Sequence, residues 1–255
     1  MIKVANILPV NCIGEDMPRQ EYELYLTHKI LEYPDRFSFL AKDRDRGVNS
    51  YKILDNSACE LGEGMDFGKV IEAAQIIGAD EVVLPDFPRS SKSLCNTLKY
   101  LVDVPTDFPY KLAAVVQGGT EKEVLDCATQ ILMLKRINTI MLPKWYCSLN
   151  STNGLGRHAL TLQILNMMQS LQAPKYIHWL GLDTGMRELI SPVAMAVRSV
   201  DTGYLAALST PKWSDHDLFF DRPRELKIDL EHMDVDMNRW HQLVAQQQHI
   251  LEGEM

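Results

Sequence analysis

The sequence lacks the patterns that predict a disulfide framework, a cysteine-based metal site or a membrane-spanning helix. Its cysteines lie far apart and form no CxxC or CxC pair, which argues against a disulfide framework and a cysteine-rich zinc site. Nowhere do about eighteen apolar residues follow one another, as a membrane-spanning helix requires. No basic segment precedes a long apolar run near the first residues, so we expect a cytoplasmic protein with reduced thiols. The cysteines are Cys12, Cys59, Cys95, Cys127 and Cys147.

An excess of basic residues is also missing. Lys and Arg number 26 against 34 Asp and Glu, which gives a formal net charge of −8. Phosphate contacts need Lys and Arg, and a negative overall field slows encounter with a polyanion. Any site for nucleic acid must therefore be local.

Short apolar runs alternate with longer segments of helical periodicity along most of the chain. The helical segments are 67–79, 121–136 and 157–171, and an amphipathic helix is predicted within 233–253. The predicted strands are 4–9, 52–57, 81–86, 112–118, 139–143, 176–182 and 197–202, with a weaker eighth candidate at 226–231.

Strands that alternate with helices predict right-handed βαβ units and a parallel sheet. Seven or eight such strands in 255 residues fit a (β/α)₈ TIM barrel, whose usual size is about 250 residues. We expect one domain over residues 1–255. An open, doubly wound sheet is the alternative, but no glycine-rich phosphate fingerprint follows the first strand.

Polar residues interrupt the apolar runs where several predicted strands end. In a parallel barrel these carboxyl ends form one mouth, so the side chains there are candidates for chemistry. Each aspartate has an alternative reading as a helix N-cap. The two glycines also fit a tight turn with positive φ, besides a close approach of the backbone to a flat ligand. The strand-end residues are Asp55, Asp86, Gln117 followed by Gly118 and Gly119, Pro143 followed by Lys144, Gly181, and Asp201.

Four of these segments resemble the active-site segments of tRNA-guanine transglycosylases. They are DNSACELG at 55–62, VVLPD at 82–86, VVQGG at 115–119 and SVDTGY at 199–204. That family exchanges a guanine in tRNA for a 7-deazaguanine on a TIM barrel. By this resemblance, Asp201 is the nucleophile and Asp55 the second catalytic aspartate. It further implies that Asp86 and Gln117 read the guanine edge, helped by Gly118 and Gly119, and that Leu142 and Gly181 shape the base pocket.

The chain also departs from the tRNA enzymes. No cysteine follows Cys147, so the CxCxxC zinc site and its subdomain are missing, and we expect neither metal nor cofactor. Cys59 stands where the family has an aromatic residue, which leaves Phe87 or Trp145 to stack on the base. The sequence is most similar to the phage and bacterial DNA transglycosylases, which insert 7-deazaguanines to shield DNA from nucleases. That branch implies DNA, or less directly tRNA, and a base such as 7-cyano-7-deazaguanine as partners, in the host cytoplasm if a phage encodes the protein.

The chemistry of base exchange fits these residue types. A carboxylate that attacks C1′ of the sugar holds it covalently until a second base displaces it. A second titratable group must give a proton to the leaving base and take one from the incoming base. Guanine presents N1–H and N2–H donors beside the O6 acceptor, so a carboxylate next to a carboxamide can read its edge. Selectivity can arise because a duplex base must first be flipped out of its stack.

Other interpretations of single residues stay open. Lys144 could serve as the Schiff-base lysine of a TIM-barrel aldolase. Arg89 and Lys92 are candidate phosphate contacts, or else the solvated start of a helix. The histidines show no HExxH or cysteine partner that would favour a metal site. A non-catalytic binding barrel is a further alternative, but two buried carboxylates would cost such a protein stability without purpose.

Overall fold

Eight parallel strands form a nearly closed TIM barrel in the computed structural model, so the predicted fold is confirmed. The structure describes residues 2–148, 156–182, 185–213, 226 and 228–253. The strands are Lys3–Asn6 (β1), Tyr22–Leu26 (β2), Tyr51–Asp55 (β3), Glu81–Val83 (β4), Lys111–Val115 (β5), Ile137–Pro143 (β6), Tyr176–Leu180 (β7) and Ser199–Thr202 (β8).

Helices follow most strands and pack outside the barrel. They are Thr27–Glu32 (α1), Pro34–Phe37 (α2), Ala58–Leu61 (α3), Phe67–Ile77 (α4), Lys92–Asp103 (α5), Glu121–Met133 (α6), Gly156–Leu171 (α7), Met186–Leu189 (α8), Tyr204–Leu208 (α9) and Met237–Glu252 (α10). The helices predicted at 67–79, 121–136, 157–171 and within 233–253 are therefore confirmed. None of the described helices is long and apolar enough to cross a membrane.

Each strand from β2 to β8 pairs in parallel with its neighbour in sequence, and β8 pairs with β1. Among the described residues, no backbone ladder joins β1 to β2. The side chain of Gln20 spans this seam instead: its Oε1 accepts from Asn6 N at 2.9 Å, and its Nε2 donates to Asn6 O at 2.7 Å. One amide side chain thus supplies both bonds that a neighbouring strand would make to Asn6.

Side-chain alternation along the strands creates two apolar layers. One layer fills the barrel and consists mainly of Ala5, Leu24, Leu26, Ile53, Val83, Ala113, Val115 and Met141. The other, larger layer lies between the outer face of the strands and the helices. Asp55 lies two residues after Ile53, and Gln117 two after Val115, so both continue the inward series at the mouth of the barrel.

The seven firmer strand predictions overlap observed strands, but the eighth strand is not the predicted one. It is β2, Tyr22–Leu26, which runs directly into α1 without an intervening turn. The prediction of a strand at 226–231 is wrong for the described part of that segment. Leu230 O accepts from Val10 N at 3.1 Å there, and the side chains of Ile228 and Leu230 border the mouth of the barrel.

Candidate active site

A cavity of about 570 Å³ opens at the carboxyl ends of the strands. Most of the predicted site residues line it: Asp55, Asp86, Arg89, Gln117, Gly181 and Asp201. Lys144, Trp145, Asn56, Cys59 and Glu60 are also part of its wall. A volume of this size is typical of sites for small organic ligands. The fold therefore brings side chains that are up to 146 residues apart in sequence, from Asp55 to Asp201, into one chamber.

Asp201 is held from one side by two N–H groups. Its Oδ1 accepts from Gly181 N and from His178 Nε2, each at 3.0 Å. His178 is fully buried, and its Nδ1 lies 2.8 Å from Ser199 Oγ, which itself lies 3.4 Å from Arg198 Nε. A carboxylate oxygen only accepts, so its bond to His178 requires the histidine proton on Nε2, which leaves Nδ1 to accept from the Ser199 hydroxyl. Both donors meet Oδ1, and Asp201 lines the cavity.

Asp55 carries its proton more tightly than an ordinary aspartate. Burial raises the pKa of its carboxyl well above the usual 3.8, and the nearby carboxylates of Glu60, Asp86 and Asp201 raise that pKa further. The N–H of Ser57 donates to Asp55 Oδ2 at 2.7 Å and opposes the effect. Asp55 is thus suited to donate a proton inside the cavity.

Asp86 and Gln117 lie side by side, tied together by their own hydrogen bonds. Gln117 Nε2 donates to Asp86 Oδ2, and Asn56 Nδ2 donates to Asp86 Oδ1, both at 2.7 Å. Burial raises the pKa of Asp86 to about 6, although both amides lower it in part. Gln117 Oε1 accepts from Arg89 N at 2.9 Å, so both ends of the carboxamide are oriented. A carboxylate and a carboxamide are therefore presented in fixed positions.

Cationic groups lie at the rim of the cavity. Arg89 is exposed, has a positive φ of 57°, and places its guanidinium carbon 5.4 Å from the ring centre of Trp145. Lys144 is also exposed and lies near the carboxylate of Glu60, where its charge opposes the rise in pKa that desolvation causes. Lys92 lies at the start of α5, outside the cavity wall. Phe87, one of the two candidates for stacking on a base, does not line the cavity, whereas Trp145 does.

Three predicted base-pocket residues lie outside the cavity wall. Leu142 belongs to the layer between strands and helices, because its neighbours Met141 and Pro143 take the inward positions of β6. Gly118 and Gly119 do not have positive φ values. A Cβ on Gly118 would lie 2.7 Å from Val124 N, so this glycine lets α6 approach the end of β5. The N–H of Gly119 donates to Glu123 Oε2 at 2.8 Å, in the cap of α6.

Sequence reasoning missed three residues that the structure places at the site. His178 holds Asp201, Asn56 holds Asp86, and Glu60 lines the cavity near Asp55 and Asp201. A signal for His178 exists in YIHWL, since a histidine between Ile177 and Trp179, both outward, must face the barrel interior. Asn56 and Glu60 lie beyond the strand, where no periodicity indicates direction.

In the part of the chain that the structure describes, no group of three His, Cys, Asp or Glu side chains is placed to hold a metal ion. Four of the cysteines are free thiols, namely Cys12, Cys59, Cys95 and Cys127. Cys59 lines the cavity, and burial raises the pKa of its thiol, with Glu60 adding to the effect. A raised thiol pKa disfavours the reactive thiolate, so Cys59 is poorly suited to act as a nucleophile.

No protein-family model matches the chain, and no curated protein matches its sequence. Solved structures with a similar arrangement include a HpcH/Hpal aldolase/citrate lyase family protein from Burkholderia cenocepacia (TM-score 0.49, 8% identity, 79% of this chain and 87% of that one). A D-tagatose 3-epimerase-like protein covers 99% of both chains at TM-score 0.46 and 13% identity. A variant of the citrate synthase SbnG covers 71% and 75% at TM-score 0.40 and 13% identity. At these values the likenesses assign no substrate and no reaction to this chain.

Proposed function

We propose that this protein is a base-exchange transglycosylase that replaces guanine in DNA with a 7-deazaguanine derivative through a covalent aspartyl–sugar intermediate. One observation carries the proposal. The same cavity is lined by Asp55, whose carboxyl pKa burial raises well above 3.8, and by a second carboxyl, Asp201, whose Oδ1 is held by Gly181 N and His178 Nε2. Two carboxyl groups in such different surroundings suit the roles of acid and nucleophile.

The first displacement would use both groups. Asp201 Oδ2 attacks C1′ of the sugar, the bond from C1′ to the guanine nitrogen breaks, and its electron pair goes to the departing base. Asp55 gives its proton to that base, which leaves as neutral guanine. Asp55 is then a carboxylate, and the sugar is esterified to Asp201.

The second displacement reverses these roles. The incoming 7-deazaguanine gives its ring N–H proton to the Asp55 carboxylate and attacks C1′, while Asp201 leaves as a carboxylate. Protons and electron pairs balance over the cycle, and both aspartates return to their starting states. His178 and the Gly181 N–H would hold Asp201 in one orientation throughout, because both donate to the oxygen that does not attack.

The base would be recognised by Asp86 and Gln117. The carboxylate of Asp86 can accept from guanine N1–H and N2–H, and the second N–H of the Gln117 amide can donate to O6. This assignment differs from the expected role of the glycine pair, since the N–H of Gly119 is already bonded to Glu123. Trp145 lines the same cavity and is the candidate for stacking on the base.

The polymer would present one nucleotide out of its stack, since a stacked base cannot reach a cavity at the mouth of a barrel. Arg89 lines this mouth, and Lys92 follows it at the start of α5, so a strand passing the end of β4 would meet both cations. The decisive assay incubates the protein with labelled guanine and duplex DNA, single-stranded DNA or tRNA. Label in DNA supports the proposal, label in tRNA alone moves the acceptor to RNA, and no label in any polymer rejects it.

A second candidate function is a Schiff-base aldolase, favoured by the presence of Lys144 at the cavity wall directly after β6. The exposure of this lysine is unfavourable, because a Schiff-base lysine is activated by loss of solvent or by a neighbouring cation. Borohydride reduction in the presence of small oxo acids and sugars tests it by mass spectrometry. A covalent adduct that is absent in Lys144→Met would favour the aldolase, and a purely binding barrel would give neither this adduct nor label exchange.

A further inference from the structure

Arg157, the second residue of α7, is fully buried, and all of its donors are used. Its Nε donates to Glu188 Oε1 at 2.8 Å, and its Nη2 also donates to that oxygen. Nη1 donates to Leu142 O at 3.2 Å and to Leu180 O at 3.0 Å, and Nη2 donates to Gly181 O at 2.8 Å. These five bonds match the five N–H groups of a guanidinium. One side chain therefore ties together the ends of β6 and β7.

The Leu180–Gly181 peptide connects Arg157 to Asp201. Its carbonyl oxygen accepts from Arg157, and its N–H donates to Asp201 Oδ1 at 3.0 Å. In a planar trans peptide the C=O and N–H groups point in opposite directions. A guanidinium that holds the carbonyl on one side of this peptide therefore holds the N–H on the other side, toward the cavity.

We propose that Arg157 is a positioning residue for Asp201: it sets the orientation of the Leu180–Gly181 peptide and thereby keeps the Gly181 N–H on Asp201 Oδ1. Its kinetic consequence rests on the proposed function, whereas its structural consequence does not. Arg157 is not part of the cavity wall, so it acts only through the peptide.

The cost of burying this ion pair supports a role in orientation. Both side chains of the Arg157–Glu188 pair are 0% exposed. Replacing a buried ion pair by well-packed apolar residues is often neutral or stabilising, so packing alone does not require one here. An apolar side chain would fill the same space but would hold none of the three carbonyl groups.

Gly181 gives the peptide its freedom to turn. Its φ of +68° lies in the left-handed region, which glycine enters without steric cost. A residue with that freedom needs an external partner to keep its N–H in one direction. The bonds from Arg157 to Leu180 O and Gly181 O flank the residue on both sides and supply this restraint.

The test is Arg157→Lys, which keeps a positive charge opposite Glu188 but loses the planar fork of five donors. The first readout is the amide resonance of Gly181 in protein labelled with 13C′-leucine and 15N-glycine. Only three Leu–Gly pairs occur in the sequence, at 61–62, 155–156 and 180–181, and the shift caused by Asp201→Asn identifies the third. In Arg157→Lys we expect this amide to move upfield and to exchange with solvent faster.

The second readout is kinetic. With the peptide free to turn, kcat for base exchange should fall about 10²-fold, while KM for the base should change less than about threefold. The matched control is Arg19→Lys, another arginine in a buried ion-pair cluster, with Glu23 and Asp43, away from the mouth. It should lower stability but leave both the Gly181 amide and kcat unchanged.

Glu188→Gln provides a second variant if Arg157→Lys folds poorly. The Gln oxygen can still accept from Arg157, so the fold should persist, and the Gly181 amide should shift in the same direction by a smaller amount. An unshifted Gly181 amide in every variant that folds overturns the proposal. If the amide shifts but wild-type protein exchanges no base with any polymer, the positioning role stands and the transglycosylase proposal fails.

Discussion

The two ends of the barrel differ in the partners that their buried charged side chains have. At the amino ends of the strands, Arg198 donates to Glu81 Oε2 at 2.7 Å, and its guanidinium lies 5.0–5.7 Å from the ring centres of Tyr22, Tyr51 and Tyr176. Tyr51 also donates to Glu81, at 3.0 Å. In this cluster the buried carboxylate of Glu81 meets a cation, and that cation meets three aromatic rings, as expected for an end of the barrel that contributes to stability.

At the carboxyl ends, carboxyl groups are in excess. Buried Asp55, Asp86 and Asp201 share one cavity with exposed Glu60, and the cations of this cavity, Arg89 and Lys144, are exposed at its rim. The raised pKa values of Asp55 and Asp86 show that burial here opposes ionisation. Such a cluster lowers stability, and proteins retain such costs mainly where function needs them. Among the described residues, the mouth is thus the end of the barrel where several carboxyl groups share one cavity.

The largest expected effect is at the nucleophile. Asp201→Asn should reduce exchange of labelled guanine by roughly 10³-fold or more, because a carboxamide is a poor attacker at an anomeric carbon. The fold should persist, since the amide oxygen can still accept from His178 and Gly181. Circular dichroism and base binding serve as controls. Exchange at the wild-type rate would remove Asp201 from the mechanism.

Asp55→Asn should slow both displacements, because the leaving guanine receives no proton and the incoming base has no carboxylate to take one. When the incoming base is withheld, wild type should form a covalent adduct between protein and nucleic acid, which denaturing gels show as a shifted band. This band should form much more slowly in Asp55→Asn. Exchange and adduct formation at the wild-type rates in the variant would show that Asp55 does not transfer the proton.

Removing the cation at the other end of the barrel should affect stability instead. Arg198→Met leaves Glu81, which is 0% exposed, without its ion-pair partner, and we expect a loss of about 3–5 kcal/mol in unfolding free energy. Urea denaturation measures this loss. Arg44→Met, which breaks an exposed pair with Asp80, is the control and should cost less than about 1 kcal/mol.

The affinity for guanine should depend on pH through the protonation of Asp86. With a pKa raised to about 6, Asp86 is increasingly protonated below that pH and can no longer accept from guanine N1–H and N2–H. Affinity for guanine should therefore fall as the pH drops through 6, approaching about tenfold per pH unit well below it. Calorimetric titration from pH 8 to pH 5 measures this dependence. Asp86→Asn should bind more weakly at pH 8 and lose the pH dependence.

The stability of Asp55→Asn should change with pH in a defined direction. Because the pKa of Asp55 is raised in the folded state, the folded protein binds this proton more tightly than the unfolded chain does. The resulting stabilisation is complete below the unfolded value near 3.8 and is lost as the pH rises through the folded pKa. The variant should therefore melt at a higher temperature than wild type at pH 8, by a margin that shrinks toward pH 5. An equal margin at every pH would contradict this.

The smallest effect is expected at the rim. Arg89→Ala and Lys92→Ala should each reduce the slope of log K against log salt for DNA binding by about 1, uniformly across sequences. Lys69→Ala, on the exposed face of α4, is a control that should leave the slope unchanged. If the slope stays the same in both rim variants, the strand follows another path.

Seven of the strands and four of the helices could be predicted from the sequence, because the spacing of apolar residues reflects which face of a strand or helix is buried. Strand β2 escaped prediction because Glu23 interrupts its apolar run, and only the fold shows that Arg19 pairs with this buried carboxylate. The segment 226–231 has the two-residue period of a strand, yet Ile228 and Leu230 cover the mouth instead. Period alone gives no information about the surface against which a segment packs.

The sequence by itself determined the barrel and the order of polar residues at its strand ends, since both follow from local patterns of side chains. Tertiary structure alone decided which of those residues share a cavity. Leu142 ends a strand but faces outward, whereas His178 lies within a strand and reaches Asp201. It also decided the environment of the carboxyl groups, because the burial that raises the pKa of Asp55 and the two donors on Asp201 come from segments far apart in the chain.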